Sequence, residues 1–245
     1  MRVVIVPTGR PRRFVTRHPA GARATLHRHS APYVALVLEG GYEECSVDGV
    51  WRCGPGDLVV HPPMHLHMNR FSGRRSRVLN IVLAARPCTS LASSYGVWRP
   101  RDPDSIRFLT EMDGDAIAEM LTHAEQSRAL APFPALSKMA NGLTIDPHCR
   151  VGTAASHLGM TREHASRQFR RHFGLPPSVF RSEQRFRRAL TLLTDFTTPL
   201  ASVALDAGYA DQAHLTRDFK TRTGMSPGAF RRSLRLDQEI TSVQS

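Results

Sequence analysis

The sequence predicts two domains, an all-β barrel followed by an all-α domain that contains two helix-turn-helix units. Three observations lead to this prediction: short strands separated by Gly and Pro turns in the first third, a repeated helical pattern in the last third, and positive charge concentrated on that repeat. A chain of 245 residues is long enough for both domains. We expect a barrel over residues 1–100, a helical connector over 101–146 and the helix-turn-helix domain over 147–245.

The first half of the chain has the pattern of short antiparallel strands. The predicted strands are, in order, Val3–Val6, Tyr33–Leu38, Glu43–Val47, Val50–Cys53, Leu58–Val60, His65–Phe71 and Val78–Leu83. Turn residues separate them, and Asp48-Gly49 is a strong hairpin signal. Many short strands at even spacing predict an antiparallel barrel or sandwich.

This half resembles a cupin. The resemblance rests on His27-Arg28-His29, Leu38–Gly41, Pro55-Gly56-Asp57, and Pro62-Pro63 leading to His67. Residues two apart on a strand share a face, so His27 and His29 point the same way. In metal-binding cupins such a pair and a later histidine converge inside the barrel. The resemblance therefore implies a possible transition-metal site at His27, His29 and His67. The chain departs from those cupins in having Tyr33 and Val34 where a glutamate is usual.

Other interpretations of the histidines stay open. They could be polar groups around the barrel mouth or histidines held by hydrogen bonds, and His61 and His65 lie nearby. The whole chain could also be a metal-dependent cupin enzyme with a helical appendage. No acid–base or nucleophile constellation accompanies the histidines, so we expect a sensor or dimerisation domain instead of an enzyme.

Helices are predicted in the connector after an irregular segment, Arg86–Arg101. They span 105–112, Asp115–Arg128 and Phe133–Leu143. In the second of these helices, Ile117, Met120, Leu121 and Ala124 form an apolar stripe. That stripe either makes a dimer contact or packs on its own barrel, and the sequence does not choose between them.

The last third contains an internal repeat with a spacing near 50 residues. One unit runs from Ala154 to Arg181 and the other from Val203 to Arg231. Each has a helix, a Gly turn, a second helix carrying Arg-x-Phe, a Gly-apolar-x-Pro turn and a Phe-Arg pair. The predicted helices are Val151–Leu158, Arg162–Phe173, Ser178–Leu193, Leu200–Ala207, Asp211–Arg222 and Pro227–Leu236. A glycine turn followed by a helix with a basic outer face is typical of a DNA-reading helix-turn-helix.

Charge supports the same interpretation. The formal net charge is +12, and Arg150–Arg235 contains 15 Lys and Arg against 6 Asp and Glu, a net charge of +9. A local basic surface points to a polyanion, with nucleic acid first among the candidates. The alternative is a generally basic surface.

The segment Val151–Leu234 resembles the DNA-binding domain of AraC/XylS-type regulators. The most specific matches are Ala204, Gly208, Tyr209, Phe219, Gly224, Ser226, Pro227 and Phe230. A cupin barrel in front of such a domain is a common family layout. The resemblance implies that both recognition helices enter successive major-groove segments, about one helical turn of DNA apart.

Carried onto this sequence, the resemblance assigns DNA-contact roles. Candidates for base contact are Glu163, Ser166, Arg167 and Arg170 in the first unit, and Asp211, Gln212, His214 and Arg217 in the second. Candidates for phosphate contact are Arg171, Arg181, Lys220 and Arg231, and the exposed Arg162 completes the set. The termini at Thr161 and Asp211 are further candidates for phosphate.

The sequence therefore predicts a sequence-specific transcription regulator, grouped with activators, that binds double-stranded DNA. A homodimer, an unknown small-molecule effector and RNA polymerase are the other partners we consider. The four cysteines form no CxxC pair, and no signal peptide or apolar membrane span is recognised. These features favour a cytoplasmic protein with free thiols and no membrane partner.

Overall fold

The computed structural model describes residues 2–4, 12–83, 95–102, 114–132 and 134–243. The chain divides into two compact units, Met1–Ala131 and Pro132–Ser245. The predicted helix at 105–112 lies outside the described residues, as does Cys88. No helix in the described ranges is long and apolar enough to cross a membrane.

The first unit is built from two sheets. Its strands are β1 (Arg2–Val4), β2 (Arg12–His18), β3 (Arg23–His29), β4 (Tyr33–Glu39), β5 (Tyr42–Ser46), β6 (Gly49–Cys53), β7 (Leu58–His61), β8 (His67–Phe71), β9 (Ser76–Val82), β10 (Gly96–Arg99) and β11 (Glu125–Gln126). One sheet has the order β1-β3-β8-β5-β6 and the other β11-β10-β7-β4-β9-β2. The paired strands are antiparallel except β1 and β3, which are parallel. The predicted all-β unit is confirmed.

Strand β4 is buried on both faces, which explains its continuous apolar run. Tyr33 and Ala35 belong to the apolar core cluster that also takes in Tyr42 and Phe71 of the opposite sheet. Val34 and Leu36 face the other way, where helix α1 (Gly114–Thr122) covers the sheet with Ile117 and Leu121. Of the two roles open for this apolar stripe, the structure shows packing on its own barrel.

The connector differs from its prediction. Helix α1 ends at Thr122 instead of Arg128, because Glu125 and Gln126 pair with Arg99 and Trp98 as the edge strand β11. Strand β10 lies in the segment expected to be irregular, and it pairs with β7. The expectation of an irregular Arg86–Arg101 is therefore wrong for Gly96–Arg99. Both strands exist because partners distant in sequence satisfy their backbone groups.

The second unit is helical. Its helices are α2 (Pro134–Ile145), α3 (Val151–Ser156), α4 (Arg162–Phe173), α5 (Pro177–Leu192), α6 (Leu200–Asp206), α7 (Gln212–Thr223) and α8 (Pro227–Val243). Helix α2 buries Leu136, Met139 and Leu143 and packs on α3, α4 and α5. The expected connector 101–146 is therefore divided: α1 belongs to the first unit and α2 to the second. The six helices predicted for the repeat are all present, and only α8 extends well beyond its predicted end.

Candidate functional site

The two recognition helices, α4 and α7, begin and end in the same way. The Thr161 hydroxyl accepts a hydrogen bond from the His164 amide at 3.2 Å, and an Asp211 carboxylate oxygen accepts one from the His214 amide at 2.6 Å. Each is an N-cap that satisfies a free amide of the first turn. Gly174 and Gly224 close the helices in the left-handed region, with φ of 76° and 79°. The caps are spaced by 50 residues, as are the closing glycines, so the predicted repeat is a structural repeat.

Helix α4 turns its charged side chains away from the core. Ala165, Phe169 and Phe173 are buried one turn apart on its inner face. The predicted contact residues lie on the remaining surface: Arg162, Glu163, Arg167, Arg170 and Arg171 are exposed, and Ser166 is half-buried. Positions 163, 166, 167 and 170 follow the spacing of a single helix face. The structure therefore brings together the base-contact candidates of the first helix-turn-helix repeat.

Helix α7 has the same arrangement with different chemistry. Leu215 and Phe219 are buried, and Gln212, Arg217 and Lys220 are exposed beside the capping Asp211. His214 is half-buried, and its Nδ1 accepts a hydrogen bond from the Ala210 amide at 3.4 Å. Its ring also meets Tyr209 edge-on, with centroids 5.1 Å apart. His214 is thus partly engaged in the turn that carries the helix.

A buried ion pair joins α7 to the long helix α5. Arg222 Nη1 donates to Glu183 Oε2 at 2.8 Å, and Arg222 Nε donates to Asp218 Oδ2 at 2.8 Å. The guanidinium also lies 5.0 Å from the centroid of Phe186. Tyr209 donates to the same Asp218 oxygen at 2.8 Å. This cluster fixes the turn, the recognition helix and α5 together, and the sequence prediction did not include it.

Two of the predicted phosphate contacts make bonds inside the chain. Arg181 Nη1 donates to the Cys149 carbonyl at 2.9 Å, and Arg231 Nη1 donates to the Thr198 carbonyl at 2.7 Å. The two arginines occupy equivalent places in the repeat and are both half-buried. Arg181 thus ties α5, the helix after α4, to the segment before the first repeat. Arg231 likewise ties α8, the helix after α7, to the segment before the second repeat. This supports a role in the fold, and the phosphate role stays a prediction.

In the barrel, the structure brings together the three histidines of the predicted metal site. His27 and His67 are paired across β3 and β8, and donor atoms of His27, His29 and His67 lie within 4.8 Å of one another. His27 Nδ1 lies 2.6 Å from the Thr25 carbonyl and His67 Nδ1 lies 3.2 Å from the His65 carbonyl. These contacts place a proton on each Nδ1. The Nε2 of His27 is then a potential ligand, whereas the Nε2 of His67 accepts a hydrogen bond from the Tyr33 hydroxyl at 3.0 Å, which a bound ion would replace. We call these three residues the outer trio.

The cavity between the sheets has a volume of about 160 Å³. Its walls combine aromatic and polar side chains, and they include Phe14, Thr16, His18, Tyr42, Asn69, Phe71 and Asn80 besides the outer trio. Burial and the neighbouring His27 and His61 lower the pKa of His29 to about 4. Burial likewise holds the pKa of His67 well below its ordinary value. Both imidazoles are therefore neutral near pH 7 and available as ligands or hydrogen-bond partners.

The sequence prediction missed a carboxylate in this cavity. Glu44 is fully buried on β5, where its Oε1 lies 2.8 Å from His61 Nε2 and its Oε2 accepts from Asn69 at 3.0 Å. Burial alone raises the pKa of Glu44, but the adjacent His61 outweighs this, and the pKa lies below its usual value. Strand alternation from the inward Tyr42 would have placed Glu44 inside. Its partner His61, on the opposite sheet, could not be read from the sequence.

The first comparisons with known proteins concern the helical unit. A family model described as a helix-turn-helix domain matches residues 154–233. The arabinose operon regulatory protein of Salmonella typhimurium is 34% identical over 86 residues, which cover 35% of this chain and 31% of that protein. The chain thus matches about a third of that relative's length.

Two similarities extend over nearly the whole chain. The uncharacterized HTH-type transcriptional regulator YobQ of Bacillus subtilis is 23% identical over 225 residues, covering 87% of this chain and 91% of that protein. Among solved structures, ToxT from Vibrio cholerae O395 is matched over 90% of this chain and 96% of its own, with 11% identity and a TM-score of 0.41. The sequence relatives are transcription regulators, and the enzyme alternative finds no support among them.

Proposed function

We propose that this chain, whose residues 154–233 match a helix-turn-helix family model, is a sequence-specific DNA-binding transcription regulator of the AraC type. One observation carries the proposal. Two matched recognition helices expose basic and polar side chains, and a common helix packs on both units. Arginine and glutamine side chains on such helices can read guanine and adenine in the major groove.

The two recognition helices expose different side chains. We therefore expect each helix to bind a different short DNA sequence, called a half-site below. Helix α4 exposes Glu163, Arg167 and Arg170 on its contact face, whereas α7 exposes Gln212, Arg217 and Lys220. Bidentate Arg–guanine and Gln–adenine contacts then favour different bases in the two half-sites. One copy of the chain is therefore proposed to read an asymmetric site, with the exposed Arg171 and Lys220 against phosphates.

Selection from a random DNA pool tests this proposal directly. Full-length protein is expected to enrich an asymmetric sequence with two short conserved blocks about one helical turn apart. Arg167→Ala should relax the consensus in one block and Arg217→Ala in the other. Enrichment of no sequence above the starting pool would overturn the proposal.

The barrel unit is proposed to sense a signal. The cavity of about 160 Å³ is lined by aromatic walls and several hydrogen-bonding groups, a combination suited to a small polar effector. The outer trio fits a first-row transition metal, since its nitrogens converge and two of them are oriented by backbone carbonyls. Bound there, a metal would supply a positive charge and an open coordination position for the effector.

Assembly and contact with RNA polymerase complete the proposed function. A homodimer and a contact with RNA polymerase are expected from the resemblance. Sedimentation equilibrium of the full chain, with and without target DNA, tests the dimer. A monomer in both conditions would remove it from the proposal.

A further inference from the structure

A second group of histidines lies deeper in the barrel than the outer trio. His61, His65 and His67 have donor atoms within 4.8 Å of one another and are 1%, 3% and 1% exposed. We call them the inner trio. Between them they belong to β7, the β7–β8 turn and β8, so both sheets contribute. His67 is shared with the outer trio, whose other two members are only half-buried.

Carboxylates orient two members of the inner trio. His61 Nε2 lies 2.8 Å from Glu44 Oε1, and His65 Nε2 lies 2.9 Å from Asp48 Oδ2. An imidazole that donates one N–H to a carboxylate presents its other nitrogen as a more basic lone pair. This carboxylate–histidine arrangement is the usual support of a protein zinc ligand.

The remaining nitrogen of His61 has no protein partner in the described part of the chain. Its Nδ1 atom is buried and makes no hydrogen bond. A buried polar atom without a partner is unfavourable and calls for an explanation, such as an ion. The two carboxylates also balance the charge of a dication, so that an ion held by three neutral imidazoles would not be an uncompensated buried charge.

The turn that carries His65 is held firmly. Met64 has a φ of 62°, which is unusual for a residue other than glycine. Its amide donates to the His29 carbonyl at 2.7 Å, and its own carbonyl accepts from Arg28 at 3.2 Å. These bonds turn the chain so that His65 enters the barrel.

We propose that the inner trio is a metal site for Zn²⁺ or a similar first-row dication, with Glu44 and Asp48 as supporting carboxylates. Tetrahedral coordination with bonds of about 2.0–2.1 Å brings donor atoms to roughly 3.3 Å apart. One nitrogen of each ring lies within 4.8 Å of the others, so these atoms must approach by up to about 1.5 Å. The Tyr33 hydroxyl, 3.0 Å from His67 Nε2, must also give up its hydrogen bond where that nitrogen binds the ion. Three protein nitrogens leave one coordination position open. The site goes beyond the DNA-binding function, which does not require it.

Cobalt binding to the full chain tests the proposal. Metal-free protein is titrated with Co²⁺, whose visible absorption reports on coordination, and Zn²⁺ is then used to displace it. His61→Gln with His65→Gln is expected to weaken Co²⁺ binding at least tenfold. The matched control, His123→Gln with His148→Gln, removes two exposed histidines outside both trios and should alter binding less than threefold. His27→Gln with His29→Gln is the comparison for the outer trio, and a loss there as large as in the inner pair would assign the ion to the outer trio instead. Any other pattern, including no binding by the unmodified chain, overturns the proposal.

A milder variant covers the case in which the double substitution does not fold. Asp48 is partly exposed, and Asp48→Asn removes the charge from the contact with His65 while keeping the side chain's size. We expect about 10–100-fold weaker binding from the loss of this support. Unchanged affinity in a variant with an unchanged Tm in EDTA would refute the inner site. DNA binding is measured on the same samples, so failure of the metal site and failure of DNA recognition are distinguishable.

Discussion

The guanidinium of Arg222 lies 2.8 Å from the buried carboxylate of Glu183, across 39 residues of sequence. Glu183 is fully buried on α5 and Arg222 is 7% exposed on α7. The pair therefore joins a recognition helix to the helix between the two units, inside the core. Its position makes it a structural requirement for presenting α7 and not a DNA contact.

Removing one partner of this pair is expected to destabilise the helical unit. Arg222→Ala leaves the Glu183 carboxylate buried without its main counter-charge, which costs about 3–5 kcal/mol for a buried pair. Urea unfolding of the full chain, followed by circular dichroism at 222 nm, measures the loss. Tryptophan fluorescence follows the barrel, because Trp51 and Trp98 both lie in the first unit.

The matched control is Arg188→Ala, an exposed arginine on the same helix as Glu183. It should change stability by no more than about 0.5 kcal/mol. A loss in Arg222→Ala no larger than in the control would show that the buried pair contributes little.

Alanine substitution is expected to destabilise the helical unit more at Gly208, in the turn before α7, than at Gly159. Gly208 has a φ of 88°, and a Cβ added there would lie 2.6 Å from Pro147 Cβ and 2.7 Å from the Pro147 carbonyl oxygen. Gly208→Ala combines about 1–2 kcal/mol of backbone strain with about 1–3 kcal/mol of overpacking. Thermal unfolding at 222 nm should show a large drop in Tm.

Gly159, in the first helix-turn-helix repeat, provides the comparison. It also has a positive φ, of 65°, but a Cβ added there would have no described atom within 4 Å. Gly159→Ala should therefore cost only the backbone strain. Equal losses for the two alanine variants would contradict the close approach of Pro147.

Base reading by the matched arginines predicts a position-specific loss. Arg167→Ala and Arg217→Ala should each weaken binding to the selected site by about 1–3 kcal/mol, mostly at one base pair. Fluorescence anisotropy with single-base variants of the site locates that base pair. If cognate and random DNA lose affinity equally, these arginines contact phosphate and read no base.

The charge of the helical unit predicts a steep salt dependence. The net charge of +9 between Arg150 and Arg235 implies several phosphate contacts and release of condensed counterions. A plot of log affinity against log salt should have a negative slope of several units. Lys220→Ala should reduce the slope by about one, whereas a flat titration would be incompatible with nucleic-acid binding.

The sequence was most informative where structure is local and repeated. Turn glycines and apolar spacing located both helix-turn-helix units, because each signal acts within about four residues. Helix α4 has the predicted bounds, and its contact candidates share one exposed surface. Because the helix-turn-helix pattern occurs twice in the same order, it is a stronger indication of that motif than one occurrence would be.

The features that the sequence did not predict depend on contacts between residues that are distant in the sequence. Nothing in the sequence around Arg222 indicates that Glu183 will neutralise it. Similarly, no local pattern indicates that Arg181 and Arg231 donate to backbone carbonyls far away in the sequence. Strand β11 has only two residues, too short for a periodic signal, and it forms because β10 offers a free edge.

Helix α5 restricts the spacing between the two half-sites of the DNA. Its 16 residues span about 24 Å without a break, and they are joined to α7 by the Arg222–Glu183 pair. The two recognition helices therefore keep one rotational phase relative to each other. B-DNA turns once every 10–10.5 base pairs, so inserting five base pairs between the half-sites moves the second half-site to the far side of the duplex. The spacer length of a target promoter should thus be as restricted as its bases.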